Sequence, residues 1–253
     1  MSFRVGADSY DRFMGRFSVP LAPRFADFAR IEAPRRAIDV GCGPGALTTE
    51  LVGRVGAPNV TAVDPSESFV VAAQERHPQV DVRRASAEAL PFDDDTFDSA
   101  LAQLVVHFMA DPVAGLREMA RVARPGGMVA ACVWDHHAGG AGPLSLFWRA
   151  AREFDPSAPD EAGLPGASEG HLVALFHEAG LAQVDGELLT VSVEMSSFDA
   201  WWEPFTLGVG PAGAYVASLE PAARVELREH CRSIAPPAPF VIDAGAWAAR
   251  GIA

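Results

Sequence analysis

The chain has no lysine. All 20 of its basic residues are arginine, against 33 acidic ones, which leaves a formal net charge of −13 over 253 residues. A surface of that sign repels a phosphate backbone, so nucleic acid is not an expected partner. The bias toward arginine and alanine reads as coding bias and carries no functional weight. Cysteine is scarce too. Cys42, Cys132 and Cys231 lie far apart and are odd in number, which fits neither a disulfide frame nor a zinc cluster, and no clustered triplet is present for radical iron–sulfur chemistry. Buried, reduced thiols are expected. No run approaches the ~20 apolar residues of a membrane span, and the opening MSFRVGADSYD has no apolar stretch like that of a secretory signal. A cytoplasmic location is the expectation. Internal repeats and low-complexity tails are missing as well.

What is present is a large core. Hydrophobic residues make up 49% of the chain, enough for one large α/β unit. Phe13, Phe17, Leu21, Phe25 and Phe28 recur at helical steps within residues 8–30. Pro20 and Pro23 interrupt the run, which predicts two short pieces. An alternation of strands and helices follows. Strands are expected at Ala37–Val40, Asn59–Val63, Val80–Ala85, Phe97–Val106 and Met128–Trp134, with helices at Thr48–Val55, Ser66–His77 and Val113–Ala123. That rhythm means parallel pairing with helical crossovers and a doubly wound sheet. After Trp134 the pattern loosens into residues rich in Gly, Pro and aromatics. A helical patch is expected at Leu144–Phe154, and another over 168–179, stopped by Gly180. Val184–Met195 alternates as a half-covered strand, residues 198–232 return to helix, and Phe240–Ala249 reads as a last strand. The last two strands, with no compact crossover between them, predict an antiparallel edge.

The stretch AIDVGCGPGALTTEL, residues 37–51, runs from a strand through a glycine loop into a helix. Such a corner binds anions or nucleotides, because glycine lets the backbone approach a ligand and the helix start offers free N–H groups. Gly41-x-Gly43-x-x-Ala46 matches the relaxed dinucleotide fingerprint, so nicotinamide or flavin binding competes with S-adenosylmethionine binding. Four features favour the second. Asp39, two residues before Gly41, would repel a pyrophosphate but suits an amino acid's ammonium. Asp64 ends the second strand, where an acid can take both ribose hydroxyls, as either cofactor requires. In ASAEALPFDDDTFD, backbone groups near Ala87 can meet an adenine edge while Leu90 and Phe92 anchor the loop. RVARPGGMVAACVWD gives a helix, a sharp turn and a strand, and no second mononucleotide half follows it.

The pieces IDVGCGPG, AVDPSE, AEALPFDDDTFD and RVARPGG, within residues 35–135, make the chain similar to class I S-adenosylmethionine-dependent methyltransferases of the small-molecule branch related to ubiquinone/menaquinone methyltransferases. The resemblance implies a Rossmann-like seven-stranded α/β sheet of order 3-2-1-4-5-7-6. In it the last strand is antiparallel, helices cover both faces and a helical lid lies over the site. It implies one unit over 1–253: a helical cover at 1–34, a cofactor core at 35–135, and substrate-side insertions with the final strands at 136–253. Gly41 and Gly43 would line the methionine part of the cofactor. Asp64, with Pro65 beside it, would hold the ribose; Ala87 and Glu88 would border the adenine; and Gln103 would face the methionine end. Relatives often carry Asp where this chain has Ser86, whose hydroxyl accepts without charge assistance. YDRFMGRFS looks like the family's covering helix, from which Tyr10 and Arg16 could reach the cofactor carboxylate or the acceptor; Phe13 and Phe17 pack it on the sheet.

Methyl transfer from a sulfonium needs alignment and water exclusion, and a base only for a hydroxyl or protonated amine. His107, read as the end of the fourth strand, would overlook the methyl group; its other reading is a histidine that hydrogen-bonds a loop carbonyl. His136 in VWDHH is a second candidate for acceptor contact. Asp135, His136 and His137 are three consecutive residues that cannot all face one ion from extended backbone, so no metal site is expected. Trp134, Phe147, Trp148, Phe154, Trp201, Trp202 and Phe205 concentrate in the cover. They would form the lid's own core or roof a pocket for a flat or lipophilic acceptor. The expected partner is thus a small methyl acceptor. A nicotinamide-dependent oxidoreductase and a cofactor-binding protein without turnover remain the alternatives, and the sequence assigns no oligomeric state.

Overall fold

Ala37–Val40 is a four-residue strand, β1, with every residue buried, as an apolar run covered on both faces must be. The structure is a computed structural model and describes residues 6–137, 139–159 and 161–253; residues 1–5, the head of the expected cover, lie outside that set. Around β1 stand β2 (Val60–Asp64), β3 (Asp81–Arg84), β4 (Phe97–Gln103), β5 (Ala123–Trp134), β6 (Ala182–Met195) and β7 (Phe240–Ile252). Their order is β3-β2-β1-β4-β5-β7-β6. Neighbours from β3 to β5 pair in parallel, and β7 runs antiparallel to both β5 and β6. Six strands therefore share a direction and the last is reversed. The order turns back between β1 and β4, where Asp39 lies opposite Leu101. A crevice opens at such a switch point, outside the carboxyl ends of the strands.

Helices cover both faces. One face carries α2 (Arg16–Phe28), α3 (Ala46–Val55) and α6 (Ser145–Phe154); the other carries α5 (Pro112–Val122) and α7 (His171–Ala179). Local chemistry sets their ends. The Asp111 side chain accepts from Ala114 N at 2.9 Å ahead of Pro112, capping α5. Gly180, at φ +91°, stops α7. Two further helices, α4 (Glu67–Arg76) and α1 (Ala7–Tyr10), flank the crevice, and α8 (Phe198–Trp202), α9 (Gly210–Ser218) and α10 (Pro221–Ile234) complete the lid. No helix among the described residues is long and apolar enough to cross a membrane.

Three expectations need correction. Pro20 and Pro23 do not split the N-terminal helix: α2 runs straight through both. The two missing N–H donors cost less than the buried stripe of Phe17, Leu21, Phe25 and Phe28 returns, and the irregularity falls instead in a π-turn at Asp11–Gly15. The fourth strand stops at Gln103, and Val106–Phe108 forms a 3-10 turn. The fifth strand begins at Ala123, which pairs with Phe97; the register then jumps to Ser99 opposite Met128, so the Pro125-Gly126-Gly127 stretch is a bulge within the strand.

Candidate functional site

The glycine loop joins β1 to α3. Gly41, Gly43 and Gly45 all have positive φ, at 75°, 52° and 100°, a conformation that costs other residues about 1–2 kcal/mol. Their surroundings differ. A Cβ on Gly41 would lie 2.5 Å from both γ-carbons of Val105, whereas one on Gly43 would meet nothing within 4 Å. Packing of the strand tips therefore fixes Gly41, and Gly43 is the position bare toward the crevice.

That crevice is a cavity of about 1220 Å³, more than the ~300–1,000 Å³ of a usual small-ligand site. Its walls include Asp39, Gly41 and Gly43 from the first corner, and Asp64 and Pro65 from the end of β2. Ser86, Ala87 and Glu88 line it after β3, Gln103 at the tip of β4, and Tyr10 from the cover. The ten residues expected at a cofactor are thus brought together. Arg16 is not among them. Its guanidinium donates to Ala200 O at 3.0 Å and contacts Trp201 O and Met195 Sδ; it ties α2 to the lid, and burial pushes its pKa down to about 10.

The carboxylates are held in different ways. Asp64 Oδ2 accepts from Gly43 N at 2.9 Å and Oδ1 from Ser66 N at 2.8 Å. Burial raises its pKa, with these amides acting against the shift. Asp39 is 1% exposed; Oδ2 accepts from Thr48 Oγ1 at 2.6 Å, and Oδ1 has no partner. Burial raises this carboxyl to about 7. Glu88 accepts from Ser86 Oγ and, through Oε1, from Ala110 N at 2.8 Å.

Sequence reading missed Ser18. Its carbonyl accepts Gln103 Nε2 at 3.0 Å, and both residues line the cavity. Ser18 Oγ and Gln103 Oε1 are buried without partners, as is Asp39 Oδ1. Leaving a buried polar atom unpaired costs about 1–3 kcal/mol, so three at one wall call for a ligand. One donor and two acceptors suit the carboxylate and ammonium of an α-amino acid. A polar residue in the Met14, Ser18, Ala22, Phe25 stripe was the available signal.

A narrow annex of about 40 Å³ adjoins the cavity, sharing Tyr10, Leu104 and Phe108 with it. His107, His136, Trp134 and Glu161 line it. His107 sits on the 3-10 turn, not on β4, 5.9 Å from His136 between ring centroids. Burial lowers His107 well below the usual histidine range, helped by His136; burial also lowers His136, with Glu161 and Asp135 opposing. In both cases burial favours the neutral imidazole. The turn is set by Leu104, a non-glycine at φ +64° whose N–H donates to Cys132 O at 2.8 Å. Among the described residues no group of three metal-ligating side chains forms.

The lid aromatics do not roof the cavity. Phe147 stacks on Phe205 at 4.4 Å, and Trp201, fully buried, packs edge-on to Phe205 at 5.1 Å. They are the lid's own core. Trp134 faces the annex, and Trp148 reaches it only by donating to Glu161 Oε2 at 2.7 Å.

Residues 38–131 match the methyltransferase-domain family. A phosphatidylethanolamine N-methyltransferase of Cereibacter sphaeroides is 32% identical over 153 residues, 58% of this chain and 72% of that protein. The chain belongs to the methyltransferase family. Its members draw methyl groups from S-adenosylmethionine. An uncharacterized methyltransferase of Mycobacterium tuberculosis is 37% identical over 135 residues, 53% of this chain and 52% of that one. The chain spans about half the length of such curated relatives. A protein of Anabaena variabilis has the same fold, with a TM-score of 0.64 at 17% identity, covering 93% of this chain and 97% of that one.

Proposed function

We propose that this methyltransferase moves a methyl group from S-adenosylmethionine to a small acceptor with an aromatic or lipophilic body. When bound, S-adenosylmethionine supplies a methyl already activated on sulfur, open to in-line displacement. The observation that carries the reading is the wall of three unpartnered atoms on Ser18, Asp39 and Gln103, which suits the amino-acid end of the cofactor and does not suit a pyrophosphate. Asp39 and Gln103 take the ammonium, Ser18 donates to the carboxylate, and Asp64 and the Ser86–Glu88 loop hold ribose and adenine. Tyr10 and Leu104 line both chambers where they adjoin, and Phe13, Met14, Leu144 and Val209 give the annex an apolar wall. His107 and His136 are available to accept the proton that a hydroxyl or amine acceptor releases.

Titration calorimetry tests this. S-adenosylhomocysteine should bind and NADH should not; the reverse would make the chain a nicotinamide-dependent oxidoreductase. A second reading, a cofactor-binding protein without turnover, draws on the narrowness of the annex. S-adenosylhomocysteine binding with no methyl transfer across a metabolite library would favour it.

A further inference from the structure

Glu161 is 4% exposed and lines the annex, and no arginine pairs with it among the described residues. Trp148 Nε1 fixes one of its oxygens from behind, at 2.7 Å. A buried carboxylate without a cation is expensive to keep, and nothing in the cofactor's reach uses this one. His107, which lines the same annex, has its Nδ1 buried with no partner. Tyr10, Phe108 and Trp134 complete the walls. At about 40 Å³ the annex is a few times the ~10–15 Å³ that one water needs. It fits a single functional group, with the rest of a molecule left in the main cavity.

We propose that the annex is an ammonium niche: Glu161 selects acceptors that carry a primary or secondary amine on an apolar body, and Trp148 is the residue that positions Glu161. The inference rests on the methyltransferase reading and deepens it by naming the acceptor class. A hydroxyl in place of the amine would leave the Glu161 charge uncompensated, and a negatively charged acceptor would be repelled.

The test uses protein saturated with S-adenosylhomocysteine, titrated calorimetrically with benzylamine, 2-phenylethylamine and tryptamine, each against the alcohol that replaces its amine. At least one amine should bind tenfold or more tightly than its alcohol. Glu161→Gln keeps an acceptor for Trp148 and should erase that preference while leaving S-adenosylhomocysteine affinity unchanged, which also shows that the variant is folded. Trp148→Phe should narrow the preference without abolishing it. Alcohols binding as well as amines, discrimination that survives Glu161→Gln, or no amine binding to protein that does bind S-adenosylhomocysteine would each overturn the niche. Failure of S-adenosylhomocysteine itself to bind would instead overturn the methyltransferase reading beneath it.

Discussion

Asp64 accepts the Gly43 amide at 2.9 Å, so the acid that ends β2 holds the glycine loop of β1 in place. One carboxylate thereby both shapes the loop and offers its remaining lone pairs to the cavity. Asp64→Ala removes charge-assisted acceptors worth about 1.5–3 kcal/mol each. S-adenosylhomocysteine affinity should fall roughly 100-fold, measured by calorimetry on protein whose circular dichroism is unchanged. Asp64→Asn keeps an oxygen for one amide and should lose less. Wild-type affinity in Asp64→Ala would exclude this corner as the cofactor site.

The first two loop glycines should separate stability from binding. Gly41→Ala combines positive φ with the Val105 overlap and should cost about 3 kcal/mol of stability. Gly43→Ala meets no neighbour and should cost only about 1 kcal/mol, while its methyl intrudes on the cavity and weakens S-adenosylhomocysteine binding about tenfold or more. Urea titration and calorimetry on the two variants read both quantities. Equal destabilisation of the pair would contradict the assignment.

The corner itself was legible because glycine spacing, a preceding acid and a following helix are local signals. The sheet order came from the family resemblance that four motifs carry, and hydrophobic patterning placed the strand ends within a few residues except at the start of β5. Other features were not legible, for stated reasons. A continuous helix through Pro20 and Pro23 depends on the sheet it packs against. Glu161 lies in a Gly- and Pro-rich stretch, and its meaning comes from Trp148, 13 residues earlier in sequence. The lid tryptophans look the same in sequence whether they face a cavity or one another. Leu104 shows no trace of its backbone angle in its side chain.

That angle gives a reversal of the usual order of substitutions. Leu104 is 5% exposed, at φ +64°. Leu→Ala at a buried site costs about 2–5 kcal/mol, and glycine is ordinarily about 0.5–1 kcal/mol worse than alanine. Here glycine relieves a strain of about 1–2 kcal/mol that alanine keeps. Leu104→Gly should therefore be as stable as Leu104→Ala or more so, by Tm. The ordinary ranking would mean that the left-handed turn is not held in solution.

Two arginines join the cover to the lid with unequal force. Arg12 pairs with Glu203 across side chains more than half exposed, and Arg12→Ala should change stability by less than about 1 kcal/mol. Arg16 is half-buried and satisfies carbonyls of the five-residue helix α8. Arg16→Met leaves those oxygens unpaired and should cost about 2 kcal/mol, with faster proteolysis near α8. Matching losses in the two variants would show that burial adds nothing to the Arg16 contact.

The Asp39 carboxyl makes cofactor affinity depend on pH. Burial is the main cause of its rise to about 7, with the Thr48 bond opposing and the Asp64 charge adding. Since an ordinary aspartate titrates near 3.9, the empty folded protein retains between about pH 4 and 7 a proton that the unfolded chain has released. Stability contributed by this group is thus present at low pH, declines as pH rises through that window and levels off above about 7. Binding runs the other way, because a cationic ammonium requires the ionised carboxylate. With a midpoint of about 7, only about a tenth of the protein is binding-competent at pH 6 and about nine-tenths at pH 8, so S-adenosylhomocysteine should bind about tenfold more weakly at pH 6. Asp39→Asn keeps a partner for Thr48 and removes the titration. Its affinity should be lower than that of the wild type at pH 8 and flat from pH 6 to 8, which assigns the slope to Asp39. A flat wild-type profile, or a slope that persists in Asp39→Asn, would remove Asp39 from the ammonium site.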